Sequence, residues 1–240
     1  MRRSEILVFI PTYNERENVE KICSQILALG FALDILFLDD NSTDGTGAIL
    51  KELVKKHPNV QVIFRAEKLG VGSAHLDGIR WAYDHGYRKL ITMDCDFTHS
   101  PSYLADFISR SNDYDVIVGS RYLLRNSLSD WTLFRKFLAH AGHFIDATGA
   151  FRFYSLQRIP RQVFDLVRSR GCSFFFESLY ILKINNLRIT ELPVVSPARI
   201  YGHSKISMRE VLHSVQRLFR IYTTVVIRKK QYLLASPLKN

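Results

Sequence analysis

Asp94 and Asp96 stand one residue apart, just past the β-prone run Leu90-Ile91-Thr92. In an extended chain residues i and i+2 share a face, so two carboxylates at a strand end can point into one crevice. Such a pair can hold one hard cation, and a hard cation grips phosphates or stabilises them as they leave. An Asp-x-Asp pair also occurs in solvated turns. Its meaning therefore depends on what the rest of the chain delivers to the same place.

The elements around the pair alternate in type. Ile6 to Ile10 reads as a buried strand ended by Pro11, after which Asn14 and Glu17 have capping-box spacing ahead of a helical stripe from Val19 to Leu27. Ile35 to Leu38 is a second strand leading into Asp39-Asp40-Asn41-Ser42-Thr43-Asp44-Gly45-Thr46 and a helix with Ile49, Leu50, Leu53 and Val54 inward. Val60 to Phe64 is a third strand. A turn at Gly70 and Gly72 opens a helix through Ile79 and Tyr83, and Leu90 to Met93 is the fourth strand. Further on, a helix begins near Pro101, and a strand from Asp115 to Val118 ends in Gly119-Ser120-Arg121-Tyr122. Trp131 to Ile145 has helical spacing, Phe151 to Tyr154 reads as a strand, Phe174 to Ile184 fits either type, and Leu187 to Val195 is a strand interrupted by Pro193. A final helix, about 207 to 227, sets Val211, Val215, Leu218 and Tyr222 on one face with arginines opposite.

Apolar strands alternating with helices predict an α/β fold with a mostly parallel sheet covered on both faces. In such sheets ligands bind outside the carboxyl ends of the strands. Here those ends carry Pro11 to Glu15, Asp39-Asp40, Arg65 and Asp94-Cys95-Asp96, so the polar motifs converge on one edge. The glycine pair at 70 and 72 is not a dinucleotide fingerprint. That motif belongs after the first strand, and its third small residue is His75 here.

The chain has 240 residues, 47% hydrophobic and 23% charged, which fits one globular domain with a substantial core. A net charge of +10 points to an anionic partner. Three scattered cysteines give neither zinc spacing nor a disulfide framework, as suits a reducing cytosol. The first apolar run is too short for a secretory signal, and no stretch is long enough to span a bilayer. The expected location is cytoplasmic, with peripheral contact at the cytoplasmic face of a membrane through the basic final helix. A core-packing role for that helix is the competing reading. No nucleic-acid-binding module is recognisable, and the acidic crevice argues against one.

Several motifs have plain alternatives. Asp39-Asp40 could be a solvated turn, Asp44 a helix cap, and Glu15 a first-turn helix charge. Arg121, Arg199 and Lys205 could each be ordinary surface charge.

Taken together, seven segments resemble the inverting family 2 glycosyltransferases, in particular the dolichol- or polyprenol-phosphate mannosyltransferase branch. They are Ile10-Pro11-Thr12-Tyr13-Asn14-Glu15, Leu38 to Thr46, Leu69 to Ala74, Met93 to Asp96, Gly119 to Tyr122, Asp146 to Arg152, and Arg199 to Lys205. The resemblance implies a single GT-A domain, Rossmann-like with a mostly parallel sheet, over 1–205, and an amphipathic helix and basic tail over 206–240. It implies that Pro11, Tyr13, Glu15, Leu38 and Asp40 line a nucleoside pocket. Asp94 and Asp96, with the backbone at Cys95, would hold Mg²⁺ or Mn²⁺ against the donor diphosphate. Arg121, Arg199 and Lys205 would contact phosphates of donor or acceptor, and Arg135 would match an acceptor-phosphate arginine. The catalytic set is Asp94, Asp96 and Arg121.

The implied reaction moves a hexose, mannose in the nearest branch, from a nucleotide-diphosphate sugar to a polyprenyl phosphate. GDP-mannose is the favoured donor and a UDP-sugar the alternative. A membrane protein is a possible anchoring partner. A lipid phosphate is already anionic near neutral pH, with a second pKa of about 6, so no general base is required. Two departures stand out: Thr98 occupies a position that is often Gln, and the segment from Arg125 to Asp146 is shorter than usual for the branch. Transfer to a saccharide or protein hydroxyl, which calls for a carboxylate base, and a catalytically silent nucleotide-sugar-binding subunit are the rival readings.

Overall fold

A computed structural model describes residues 4–121, 123, 146–195 and 229–234. Seven strands form one sheet: β1 (Ile6–Thr12), β2 (Asp34–Asp39), β3 (Val60–Phe64), β4 (Lys89–Thr92), β5 (Val116–Ser120), β6 (Arg152–Ser155) and β7 (Ile189–Pro193). Their order is β3-β2-β1-β4-β6-β5-β7. Every neighbouring pair is parallel except those made by β6, which runs antiparallel to both β4 and β5. The described helices are α1 (Val19–Ala28), α2 (Thr46–Lys56), α3 (Val71–Asp84), α4 (Leu104–Arg110), α5 (Gln162–Asp165) and α6 (Ser173–Ile184).

The sheet is apolar on both faces because both are covered, which is why its strands read as continuous hydrophobic runs. Val8, Ile10, Ile35, Phe37, Ile91 and Phe153 pack against Ile22 and Ile26 of α1, Leu50 of α2 and Phe107 of α4. The alternate residues Leu7, Phe9, Leu36, Leu38, Leu90 and Tyr154 pack against Leu76 and Ile79 of α3 and Phe174 and Leu182 of α6. Gly78 lets α3 approach the sheet closely: a Cβ there would lie 2.4 Å from the Phe9 ring. Gly72 serves a second close approach, since its Cβ would meet the Gly171 carbonyl at 2.4 Å and Phe174 Cβ at 2.6 Å. The glycine pair therefore seats α3 against the chain before α6.

Two local expectations are corrected. Pro11 does not end β1, which continues to Thr12 and pairs Pro11 with Leu38 of β2. Pairing with β4 stops at Phe9, so the N–H that proline lacks would face past the end of that neighbour. Asn14 and Glu17 do not form a capping box, because α1 begins only at Val19 with Asn18 at its N-cap. Asn14 instead adopts φ +54° and joins two loops: its N–H donates to Ser42 Oγ at 2.8 Å and its Oδ1 accepts from Thr43 N–H at 2.9 Å. The ambiguous run from Phe174 is helical, as α6. The expected helices at 131–145 and about 207–227 lie outside the described residues.

Residues 229–234 return to this body. Tyr232 is buried in the core cluster on the α3 and α6 side. Asn185, just past α6, donates from Nδ2 to the Tyr232 carbonyl at 2.8 Å and accepts the Leu234 N–H at 2.9 Å. That part of the chain packs on the sheet domain.

Candidate active site

Parallel strands point their carboxyl ends to one edge, and β1, β2 and β3 deliver a connected polar crevice there. Asp39 and Asp40 are 3% and 5% exposed, so they are not a solvated turn. Asp39 accepts the Ser42 N–H at 3.0 Å and the hydroxyls of Ser42 (2.5 Å) and Thr12 (3.3 Å), shaping the turn after β2. Asp40 faces the other way: its Oδ1 accepts from Arg65 Nη1 at 3.0 Å and from Leu69 N–H at 3.2 Å, and its Oδ2 from Gly70 N–H at 3.2 Å. Asp40 thus ties the 65–70 loop to the strand ends, and Arg65 extends that tie to Ser73 Oγ at 2.8 Å and to Asp77.

The same loop brings Lys68 Nζ to 4.1 Å from the centre of the Tyr13 ring. Glu15 lies opposite, its N–H donating to Thr46 Oγ1 at 2.9 Å and its Oε2 accepting from Asn18 Nδ2 at 2.6 Å. Asp44 holds the start of α2 by accepting the Thr46 N–H at 3.0 Å. Pro11, Tyr13 and Glu15 are half-buried on this crevice rim, and Leu38 lies fully buried in the core beneath it.

The acidic claw belongs to the loop after β4 rather than to the strand itself, which ends at Thr92. Phe97 takes φ +62°, and this turns the chain back on itself. His99 then accepts the Asp94 N–H on Nδ1 at 2.9 Å, with Asp94 Oδ2 at 3.7 Å from the same atom. The ring is stacked on Phe151, centroids 4.9 Å apart. Burial holds His99 below the ordinary imidazole range despite the carboxylates of Asp94 and Asp96. Thr98 donates both its N–H (3.1 Å) and its hydroxyl (2.6 Å) to Asp96 Oδ1. Thr98 therefore orients Asp96.

The claw fits a hard cation held at an open site. Its candidate donors are two carboxylates, one half-buried and one buried; Thr98 fixes that of Asp96, and His99 holds the backbone of Asp94. Among the described residues no group of three or more His, Cys, Asp or Glu side chains could hold a metal by itself. An oxygen-seeking ion bound here would complete its shell from ligand phosphates and water, as Mg²⁺ and similar ions do at nucleotide sites.

Beyond β4, Arg121 follows β5 and lies 3.0 Å through Nε from Asp146 Oδ2, at the start of the turn into β6. Thr92 Oγ1 donates to the Ala150 carbonyl at 2.6 Å, binding that turn to the claw's strand. The antiparallel β6 thus starts where β4 and β5 end, and its entry turn joins the same edge. Val194 N–H donates to the Ser120 carbonyl at 3.1 Å, which brings the chain after β7 there too. Arg135, Arg199 and Lys205 lie outside the described residues.

The fold is that of an α/β enzyme with polar and charged groups gathered at the strand ends of a mixed sheet. The chain belongs to glycosyl transferase family 2, whose model matches residues 7–181. It is a glycosyltransferase of the inverting, polyprenol-phosphate-mannosyltransferase-like branch that the motifs resemble. It is 32% identical over 225 residues to the polyprenol monophosphomannose synthase of Mycolicibacterium smegmatis, covering 87% of this chain and 84% of that one. It is 30% identical over 212 residues to the undecaprenyl-phosphate mannosyltransferase of Micrococcus luteus, covering 84% and 87%.

Solved structures agree on the GT-A fold. Glucosyl-3-phosphoglycerate synthase from Mycobacterium tuberculosis, in complex with Mn²⁺, UDP and glucosyl-3-phosphoglycerate, superposes with a TM-score of 0.63 at 16% identity over 92% of this chain and 79% of that one. The Pyrobaculum calidifontis mannosyltransferase PcManGT, in complex with GDP-Man and Mn²⁺, gives 0.55 at 17% identity. That match covers 84% of this chain, which spans 59% of PcManGT.

Lys68, His99 and Asp146 are site residues without a role in the sequence reading. A lysine in a loop and a histidine beyond an acidic pair carry no spacing signal. Asp146 does open an Asp-x-Thr-Gly turn, a local pattern in which the carboxylate caps following N–H groups.

Proposed function

We propose that this glycosyltransferase moves mannose from GDP-mannose to a polyprenyl phosphate, with a divalent cation, at the cytoplasmic face of a membrane. The observation that carries this reading is the end-to-end likeness to two relatives named for transfer of mannose to polyprenyl or undecaprenyl phosphate. The geometry supports it. Tyr13 and Glu15, half-buried after β1, and the loop anchored by Asp40 lie at the carboxyl ends of β1 and β2, and with Pro11 and buried Leu38 they are assigned to the nucleoside. Mg²⁺ or Mn²⁺ held by Asp94 and Asp96 would neutralise charge on the departing diphosphate.

The chain's own groups do the rest. Arg121, near enough to act on the same His99 as Asp94 and Asp96, would supply positive charge to a phosphate bound there. Arg135, Arg199 and Lys205 are assigned to donor or acceptor phosphates on sequence position. The acceptor phosphate is its own nucleophile, so no side chain needs to remove a proton. Attack from the face opposite the leaving diphosphate inverts the anomeric centre. No helix of the described residues is long and apolar enough to cross a membrane. Peripheral contact with the membrane is assigned to the basic final segment, 206–240, on its sequence.

The test is product formation from GDP-mannose, with UDP-glucose in parallel, polyprenyl phosphate, and Mg²⁺ or Mn²⁺. A mannosyl-phospholipid product is expected. Absence of any lipid-linked sugar from either donor overturns the acceptor assignment. Nucleotide binding without turnover, even with membranes present, would return the chain to the class of silent binding subunits.

A further inference from the structure

We infer that Asp146 is a positioning residue that aims the Arg121 guanidinium at the phosphates of the reaction. The inference rests on the proposed function in one respect: it takes Arg121 to be a phosphate contact. The ion pair joins a partly exposed arginine side chain, 28% accessible, to a carboxylate that is 0% accessible.

Asp146 is itself immobilised. Its Oδ1 accepts from Thr148 N–H (3.2 Å), Thr148 Oγ1 (3.0 Å) and Gly149 N–H (3.1 Å), and its own N–H donates to Glu191 Oε1 at 2.9 Å. The turn that carries it is clamped from below by Arg152, which is wholly buried. Arg152 donates from Nε to the Gly149 carbonyl at 2.8 Å, from Nη2 to the Ala147 carbonyl at 3.1 Å, and from Nη1 to Ser178 Oγ at 3.2 Å.

This arrangement differs from a surface ion pair. Two mobile side chains meeting in water gain little, since ordering them costs about what the attraction returns. Here one partner is already rigid and dry, so only the arginine is ordered, and Asp146 holds it at Nε. Burial works to raise the Asp146 carboxyl, but the Arg121 charge and the bonds from Arg121 and Thr148 outweigh it and hold the group below the usual carboxylate range. The carboxylate therefore stays ionised at working pH. A cation fixed before substrate arrives stabilises developing phosphate charge without having to reorganise. Gly149 belongs to the same device: a Cβ there would sit 3.4 Å from Asp146 Cγ and from the Gly119 carbonyl.

The experiment is steady-state kinetics on the full chain, with whichever donor and lipid phosphate it turns over, for Asp146→Asn, Arg121→Ala, Arg121→Lys and Asp146→Asn combined with Arg121→Ala. Asparagine keeps the Oδ1 acceptor for Thr148 and Gly149 and loses the charge facing Arg121. We expect Asp146→Asn to lower kcat on the order of ten-fold or more with a smaller change in donor KM, and the double variant to be no slower than Arg121→Ala alone, the non-additivity of residues acting as a unit. Additive losses in the double variant would overturn the inference. Arg121→Lys provides a reading that does not depend on Asp146→Asn folding. Lysine brings a point charge in place of a planar fork, and with that charge drawn onto Asp146 its rate should fall close to that of Arg121→Ala. Wild-type turnover by Arg121→Lys would also sink the positioning role. If Arg121→Ala itself turns over normally, the phosphate contact in the proposed function fails instead.

Discussion

The backbone N–H of Asp94 donates to Nδ1 of His99 across 2.9 Å, so the main chain that carries the first carboxylate of the claw is held by the residue that closes its loop. Because Nδ1 accepts, the proton of the neutral ring is on Nε2. Partners that orient metal-binding side chains commonly matter ten- to a hundred-fold in metal affinity. His99→Ala should therefore raise the Mn²⁺ concentration needed for half-maximal transfer by about ten-fold. Thr98→Val should act in the same direction through Asp96, and Thr98→Ser should leave it unchanged. Metal titrations of turnover, paired with nucleotide thermal shifts at each Mn²⁺ level, measure both. An unchanged metal requirement in His99→Ala would show that the loop holds its shape without the ring.

Lys68 covers the Tyr13 ring at 4.1 Å from a loop whose amides are held by Asp40. A cation over an exposed aromatic face is worth about 0.5–1 kcal/mol. Lys68→Ala should accordingly raise donor KM by roughly two- to five-fold, with kcat and melting temperature close to wild type. Arg65→Ala removes the anchor of the whole loop and should weaken donor binding more. Initial-rate measurements over a donor series separate the two.

His75 sets a pH dependence of stability. Its ring is fully buried among Phe9, Phe174 and Phe175, and neither nitrogen has a hydrogen-bond partner among the described residues. Burial, with Arg152 and His99 adding to it, pulls its pKa from 6.5 down to about 3. The unfolded chain therefore binds a proton in this interval that the native state refuses. The contribution is complete above the unfolded value and is lost as pH falls from there toward the folded one, at about 1.4 kcal/mol per pH unit. Urea unfolding of wild type and His75→Leu at pH 7 and pH 5.5 checks the sign: the variant should lose less stability over that step. Parallel profiles would contradict it.

Gly78→Ala tests how tightly α3 lies on β1. Its new methyl would meet three atoms of the Phe9 ring at 2.4 to 2.6 Å. Phe9 is fully buried in a central strand, so relief requires a backbone shift. Overpacking of this kind costs about 1–3 kcal/mol, which equilibrium unfolding would read directly. Gly171→Ala, with nothing within 4 Å of the added carbon, is the control.

Much of this was legible along the chain. The first four strands announce themselves as apolar runs because the sheet is buried on both sides, and parallel order then sends their polar ends to one edge. Pro11 misled because a missing N–H matters only where a neighbour strand needs it, and β4 has already stopped. The start of α1 misled because Asn14 is used between loops rather than at the helix. The Asp39–Asp40 pair does lie at the end of β2 as read, but its two carboxylates turn in opposite directions, which no spacing encodes. Arg121 and Asp146 come together only because β6 enters the sheet antiparallel, a long-range event without a local signal.

That pairing has a consequence for how the family can vary. Arg121 and Asp146 close the base of everything inserted between them, so the chain leaves and rejoins the sheet at one fixed point. The closure entropy of a flexible loop between such ends changes by only about 0.6 kcal/mol for each doubling of its length. Arg121 and Asp146 thus mark two ends held together by the sheet, between which a change of chain length costs the strands little.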